Sequence, residues 1–261
     1  MAKLEKIITV LENIAPPSLA LGFDNSGLNV GDKNAEIYGI TVCLDASKEV
    51  MDEAIKNGDN LVISHHPLIF TPISNLVLGL STCDEVCYAV KNSLNVYSMH
   101  TNLDVACGGI NESMANLYGM KNVKTLGEDG VGKIGNVEET DLVLLAKKTE
   151  ELFGARVRIV KASEDKITTI AVINGAGADE EYILKAKEAG AQCLISCEVK
   201  HHVALFAKKS GVSLIESSHY ATEKFFIPTL VEKIQCELEK SGIKIKVNQS
   251  QIETNPLMDK F

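Results

Sequence analysis

The chain reads as an α/β protein of two similar lobes, each built on a mainly parallel or mixed sheet flanked by helices, with a natural cleft for a site between them. Three observations predict this. Short apolar, β-branched runs alternate with amphipathic helical stretches, the pattern of βαβ units. A helix–glycine–strand unit, EAIKNGDNLVISHHP (53–67), returns in the second half as KAKEAGAQCLISCEVKH (185–201), matching Gly58 to Gly190 and Ser64 to Ser196. The histidines follow predicted strands or open helices, and open α/β sheets place their chemistry at strand ends.

Taken in order, residues 3–14 put Leu4, Ile7, Ile8, Leu11 and Ile14 on one helical face, and Pro16 and Pro17 stop that helix. The turn-rich segment 20–32 reads as a loop leading into a strand. Ile37–Leu44 reads as a strand, and Ser47–Asn57 as a helix ended by Gly58. Leu61, Val62 and Ile63 form a buried strand that delivers Ser64, His65 and His66, after which Pro67 ends any ladder pairing. A helix at about 83–93 precedes a strand Asn95–Met99 that runs into His100-Thr-Asn-Leu-Asp104. The Gly108-Gly109 turn leads to a further helix at about 111–118.

Residues 121–141, which include GEDGVGKIGN, read as the boundary between halves, giving lobes of 1–128 and 129–261. NVYSMH (95–100) resembles GVSLIES (211–217), although shared βαβ grammar produces such matches without ancestry. In the last stretch Ser217 and Ser218 are good N-caps, Pro228 kinks the helix or starts a new one, and IKIKV (243–247) reads as a final strand of the second lobe.

Composition narrows the function classes. The net charge of −9 over 261 residues disfavours general nucleic-acid binding, which needs the opposite sign. No apolar run approaches the length of a membrane span. The seven cysteines are odd in number and include no C-x₂-C, which points to a reduced cytoplasmic protein whose cysteines act as small hydrophobes.

The histidines carry the signal. Six are present, and they include two adjacent pairs, His65-His66 and His201-His202. A lone histidine at a strand end is more often a hydrogen-bonded or solvent-facing side chain than a ligand. An isolated His219/Glu223 pair, four apart on one helix face, is more often a surface contact. Asp104 alone fits an Asx turn. Together these residues make a donor set of imidazole and carboxylate without thiolate, which suits Zn, Fe, Mn, Co or Ni. Successive strand side chains point to opposite faces, so His65 and His66 fit two neighbouring ions better than one. A bridging carboxylate would offset the repulsion between such ions, and positions left open on them would make the centre catalytic.

Residues 20–32 (ALGFDNSGLNVGD), 63–68 (ISHHPL), 100–111 (HTNLDVACGGIN), 173–179 (INGAGAD), 194–202 (LISCEVKHH) and 215–223 (IESSHYATE) resemble the NIF-three-like family, whose members are often described as type 2 GTP cyclohydrolase I. The resemblance covers essentially the whole chain. It implies a two-lobed α/β fold, two divalent metal ions in the cleft and a toroidal homo-hexamer. Carried over by motif, His65 and Asp104 would hold one ion, His66 and His219 the other, and Glu223 would bridge them. The chain departs from the family pattern at Phe23, where Trp is usual, at Cys197-Glu198, where Gly precedes the acid, and at Ser218, where Gly is common. His100, Glu198 and His202 are candidates for proton transfer, substrate binding or orientation of the ligands, with capping or packing an equal reading for His100 and the favoured one for His201.

Two functions follow. One is a metal-dependent hydrolase acting on a phosphoester or a nucleotide base. The other is a metal-storage, metal-delivery or regulatory ring without turnover, and a scaffold acting through its surface is a third possibility. An anion or nucleotide pocket beside the metals would favour the first. Against it, Arg156 and Arg158 are the only arginines and there is no tryptophan.

Overall fold

The computed structural model describes residues 1–163 and 166–257. Its strands are β1 (Ala2–Lys3), β2 (Gly27–Val30), β3 (Glu36–Ile37), β4 (Gly39–Cys43), β5 (Leu61–Ser64), β6 (Asn95–Ser98), β7 (Lys121–Thr125), β8 (Lys133–Thr140), β9 (Arg158–Val160), β10 (Ile167–Val172), β11 (Cys193–Cys197), β12 (Ser213–Ser217) and β13 (Lys246–Gln249). Its helices are α1 (Leu4–Ile14), α2 (Lys48–Asn57), α3 (Ser81–Lys91), α4 (Thr101–Val105), α5 (Ile110–Leu117), α6 (Leu142–Phe153), α7 (Glu180–Glu188), α8 (His201–Ser210), α9 (His219–Lys224) and α10 (Ile227–Lys240). The chain divides into two compact units. The first comprises Met1–Ala106 and Ile227–Thr254; the second comprises Cys107–Phe226 and the described residues after Thr254.

The first unit carries a five-stranded sheet in the order β13-β4-β5-β6-β2. Its first four strands run parallel, and β2 is antiparallel to β6. Val62 and Val96 belong to one core cluster with Val50, Met51 and Ala54 of α2 and with Val86 and Ala89 of α3. Leu61 and Ile63, fully buried on the alternate face, complete the continuous apolar run of a strand covered on both sides. α2 begins where the Ser47 side chain accepts from the Val50 N–H, and it ends at Gly58 with φ +78, the left-handed C-cap that glycine adopts without strain.

The second unit carries a six-stranded sheet, β7-β8-β10-β11-β12-β9. Its centre, β10-β11-β12, is parallel, and β8 and β9 flank it antiparallel. Ile170, Val172, Cys193, Ile195 and Ile215 pack with Met114 and Ala115 of α5 and Leu145 and Ala146 of α6. The 53–67 and 185–201 segments thus build corresponding parts, a helix followed by the middle strand of a parallel trio.

Two expectations differ from this division. Residues 121–141, read as the boundary between halves, form the β7–β8 hairpin at the edge of the second sheet, and the compact units divide at 106/107. Every β7 residue is exposed, which leaves the strand without the apolar alternation that marks one in sequence. The glycine-rich turn is fastened where Asp129 accepts from Tyr182 and Lys185 of α7. The final strand lies at 246–249, and it returns to the first unit beside β4.

That return is secured by a buried carboxylate. Asp59 Oδ2 accepts from Thr41 Oγ1 of β4 at 2.7 Å and from Asn248 Nδ2 of β13 at 2.8 Å. A Cβ on Gly39 would lie 1.9 Å from Asp59 Oδ1. Gly39→Ala is therefore expected to displace the carboxylate and lower stability by about 1–3 kcal/mol, the cost of disturbing buried charged hydrogen bonds. Urea unfolding of the variant measures this.

Candidate metal centre

In the first unit three neighbouring parallel strands, β4, β5 and β6, deliver side chains at their C-terminal ends: Asp45 after β4, His65 and His66 after β5, and His100 after β6. His65 is fully buried, and its Nδ1 lies 2.8 Å from the Met99 carbonyl. His66 Nδ1 lies 2.9 Å from Asp45 Oδ1, and His100 Nδ1 lies 2.7 Å from Asp24 Oδ1. Carbonyl and carboxylate oxygens accept and do not donate, so in each ring Nδ1 carries the proton. The tautomer is fixed by the partner, and Nε2 is the atom through which each ring would ligate.

His65 and His66 lie just past the strand and take partners on different sides, one from the β6 end and one from the β4 end. Their rings nevertheless stand only 5.0 Å apart, closer than strand alternation alone implies. His65, His66 and His100 each offer a ligand atom, and these lie within 4.8 Å of one another. Asp104, in α4, brings Oδ1 to 3.8 Å from His65 Nε2. Asp104 thus turns toward the buried histidine and does more than close an Asx turn.

The second unit repeats the construction at the ends of β10, β11 and β12. Ser218 caps α9, its side chain accepting from the Ala221 N–H, so His219 opens that helix and Glu223 follows one turn later. His219 Nε2 lies 2.9 Å from Glu223 Oε1, close enough for both to reach one ion at roughly 2.0–2.2 Å. Glu198, the residue after β11, places Oε1 2.6 Å from His219 Nδ1 and so fixes the fourth tautomer. Asn174 Nδ2, after β10, donates to Glu223 Oε1 at 3.2 Å. Gly175, at φ +63, passes so close that a Cβ would sit 3.0 Å from Glu223 Oε1 and 3.5 Å from His219 Nε2.

Each sequence-predicted site residue thus has a place. His65, His66, His100 and Asp104 gather in the first unit, and His219, Glu223 and Glu198 in the second. Glu198 holds a ligand candidate by its far nitrogen, and His100 is held in the same way by Asp24. His202, exposed beside His201 in the first turn of α8, belongs to neither group among the described residues. Asp24 and Asp45, the anchors of His100 and His66, are missing from the sequence-based set. Asp24 itself lies in the segment 20–32 that carries the family resemblance, whereas Asp45 lies in none of the resembling segments.

Among the described residues no thiolate enters either group. Cys197 adjoins Glu198 in sequence, but burial pushes its thiol up to about 12 despite a hydrogen-bond contact with Thr222. The donors are imidazole and carboxylate, the set that borderline divalent ions take.

Comparison with known proteins shows the family and the fold. A family model described as Duf34/NIF3 (NGG1p interacting factor 3) matches residues 2–256. A Clostridium acetobutylicum protein named GTP cyclohydrolase 1 type 2 homolog is 32% identical, over 97% of each chain. A Helicobacter pylori protein named GTP cyclohydrolase 1 type 2 is 32% identical, over 89% of this chain and 91% of its own. The crystal structure of a Bacillus cereus protein related to NIF3 superposes with a TM-score of 0.91 at 23% identity, covering 98% of this chain and 99% of that one, and so shares the fold.

Asp24 gives this arrangement a pH dependence. Burial raises its carboxyl, but hydrogen bonds from His100, Thr101 and Ser26 outweigh burial and hold it well below the usual carboxylate range. A carboxyl depressed on folding contributes stability that is fully present above its unfolded value, about 3.9, and is lost as pH falls toward its folded value. Asp24→Asn is expected to lower stability by about 1.5–3 kcal/mol at pH 7 and by progressively less below about pH 4. Urea unfolding at both pH values tests the sign; an equal loss at each would contradict it.

Proposed function

Because the chain belongs to the Duf34/NIF3 family, we propose that it is a metal-dependent hydrolase that holds two divalent ions and acts on a nucleotide or another phosphoester. The observation that carries the reading is the set of four imidazoles whose Nδ1 atoms are all engaged by acceptor oxygens, with Asp104 and Glu223 on the Nε2 side. Purely structural histidines have no need of a common tautomer.

In this proposal, as the family resemblance implies, His65 and Asp104 would hold one ion and His66 and His219 the other, with Glu223 shared between them. Bound there, the ions would supply Lewis-acid polarisation and an activated water. Glu198, Asp45 and the Met99 carbonyl keep the rings oriented, and such partners typically change metal affinity or activity by about 10–100-fold when removed. His100 stands beside His65 and His66 as the group for hydrogen bonding to substrate. His202, exposed in the first turn of α8, is kept as a candidate for substrate binding and is given no ligand role. The names of the relatives favour GTP as the first substrate to try. Assembly as a toroidal hexamer belongs to the same proposal and predicts a solution mass six times the 28.2 kDa chain.

Elemental analysis of the purified protein is expected to find two ions per chain. His66→Ala or His219→Ala should remove one ion, His65→Ala or Asp104→Ala the other, and Glu223→Gln should weaken both. GTP turnover should vanish in the His65→Ala/His66→Ala/Glu223→Ala triple variant. Turnover that survives there excludes the mechanism, whereas two bound ions without turnover favour the non-enzymatic metal-binding reading.

A further inference from the structure

Two phenylalanines of the first unit stay in solvent beside the histidines. Phe23 is 66% exposed and Phe70 is 51% exposed, although burying either ring would gain about 1.5–3 kcal/mol. Their ring centroids are 6.3 Å apart in an edge-to-face arrangement, and Phe70 stands edge-on to His100 at 6.0 Å. His100 in turn lies 5.2 Å from His65 and 5.7 Å from His66. A continuous row of rings therefore runs from the surface to the candidate ligands.

The row is braced by its loops. Asn25 Nδ2 donates to the Ile69 carbonyl at 2.6 Å, and the Ile69 N–H donates to Asn29 Oδ1 at 3.0 Å. These bonds tie the segment carrying Phe23 to the segment carrying Phe70. Asp24, next to Phe23, fixes His100. Polar bonds of neighbouring residues thus tie together the two segments that carry the rings. The first unit contains no arginine, so it has no guanidinium fork with which to grip a phosphate. What it presents beside the histidines is π surface, which stacks on flat rings, together with an imidazole of fixed orientation.

We propose that Phe23 and Phe70 form the recognition wall for a planar nitrogen heterocycle, whose polar edge is presented to His100. The heterocycle is the ring of the substrate, and in that respect the assignment rests on the hydrolase reading above. Stacking of a base on an aromatic side chain is worth about 1–3 kcal/mol by alanine substitution, roughly 5–150-fold in affinity.

The test uses calorimetric binding of guanosine, adenosine, ribose 5-phosphate and tripolyphosphate to the metal-loaded protein. A nucleoside is expected to bind more tightly than either ring-free probe. Phe70→Ala and Phe23→Ala should each weaken that binding by roughly tenfold with metal content unchanged, and Phe70→Trp should restore it. Because the chain has no tryptophan, Phe70→Trp also adds a single reporter, whose emission should be quenched saturably by the bound nucleoside. Wild-type affinity in Phe70→Ala, equal binding of the ring-free probes, or no binding of either nucleoside overturns the proposal. So does indole emission from the Phe70→Trp variant that responds to protein concentration and not to nucleoside, which would make this surface an interface between copies. Nucleoside binding through Phe70 in a protein that takes up no metal would refute the metal reading and leave the wall standing; two bound ions with no nucleoside binding would do the reverse.

Discussion

The hydrogen bond at Nδ1 is the interaction on which the candidate site depends. An imidazole has two ring nitrogens, and a ring that can rotate or exchange tautomers offers a ligand atom only part of the time. Here a main-chain carbonyl and three carboxylates each take one Nδ1 proton, and none of these partners can donate one back. Each unit reaches this result by the same construction. A parallel trio of strands ends on one side of its sheet, so residues distant in sequence finish within bonding distance: Asp45 beside His66, Met99 beside His65, Glu198 beside His219. The sheet supplies precision to about the length of a hydrogen bond, and the loops need supply only side chains.

The parts legible in the sequence are those set by local rules. Ser47 and Gly58 bound their helix, Ser218 caps the helix that carries His219, and Leu61–Ile63 reads as the strand it is. The histidines could be picked out because they stand where such strands end. Partners that arrive from elsewhere were less visible. Asp24 reads as a turn residue because its neighbours Asn25, Ser26 and Gly27 are turn formers, and nothing within the segment reveals that its carboxylate meets a histidine 76 residues later. The β7–β8 hairpin read as the boundary between halves for a related reason: fully exposed β7 carries no burial pattern, and the turn after it is rich in glycine and charge.

The departures from the family pattern acquire physical accounts of the same kind. Cys197 sits regularly in β11, fully buried, and the left-handed residue is Glu198 itself, with φ +53. A side chain with a Cβ pays about 1–2 kcal/mol for that conformation, and here the conformation coincides with the carboxylate's contact with His219. Ser218 replaces a flexible residue with one whose hydroxyl caps α9. That helix start fixes where His219 and, one turn on, Glu223 project.

Positive φ and close backbone approach coincide beside the ligand candidates of the second unit. Gly175 and Glu198 follow two neighbouring strands, and both adopt positive φ. At Gly175 a Cβ would in addition press on the Glu223 carboxylate. At Glu198 the turn aims the side chain at His219 Nδ1. The first unit needs no such residue at the ends of β5 and β6, since a main-chain carbonyl and two aspartates reach its rings without left-handed backbone there. The second unit instead binds one histidine between two glutamates on either ring nitrogen, which leaves little room for the backbone that passes behind it. A carboxylate as fully buried as Glu223 needs positive charge or hydrogen-bond donors around it. Asn174 Nδ2 supplies one such donor, and a divalent cation bound as proposed above would supply the charge.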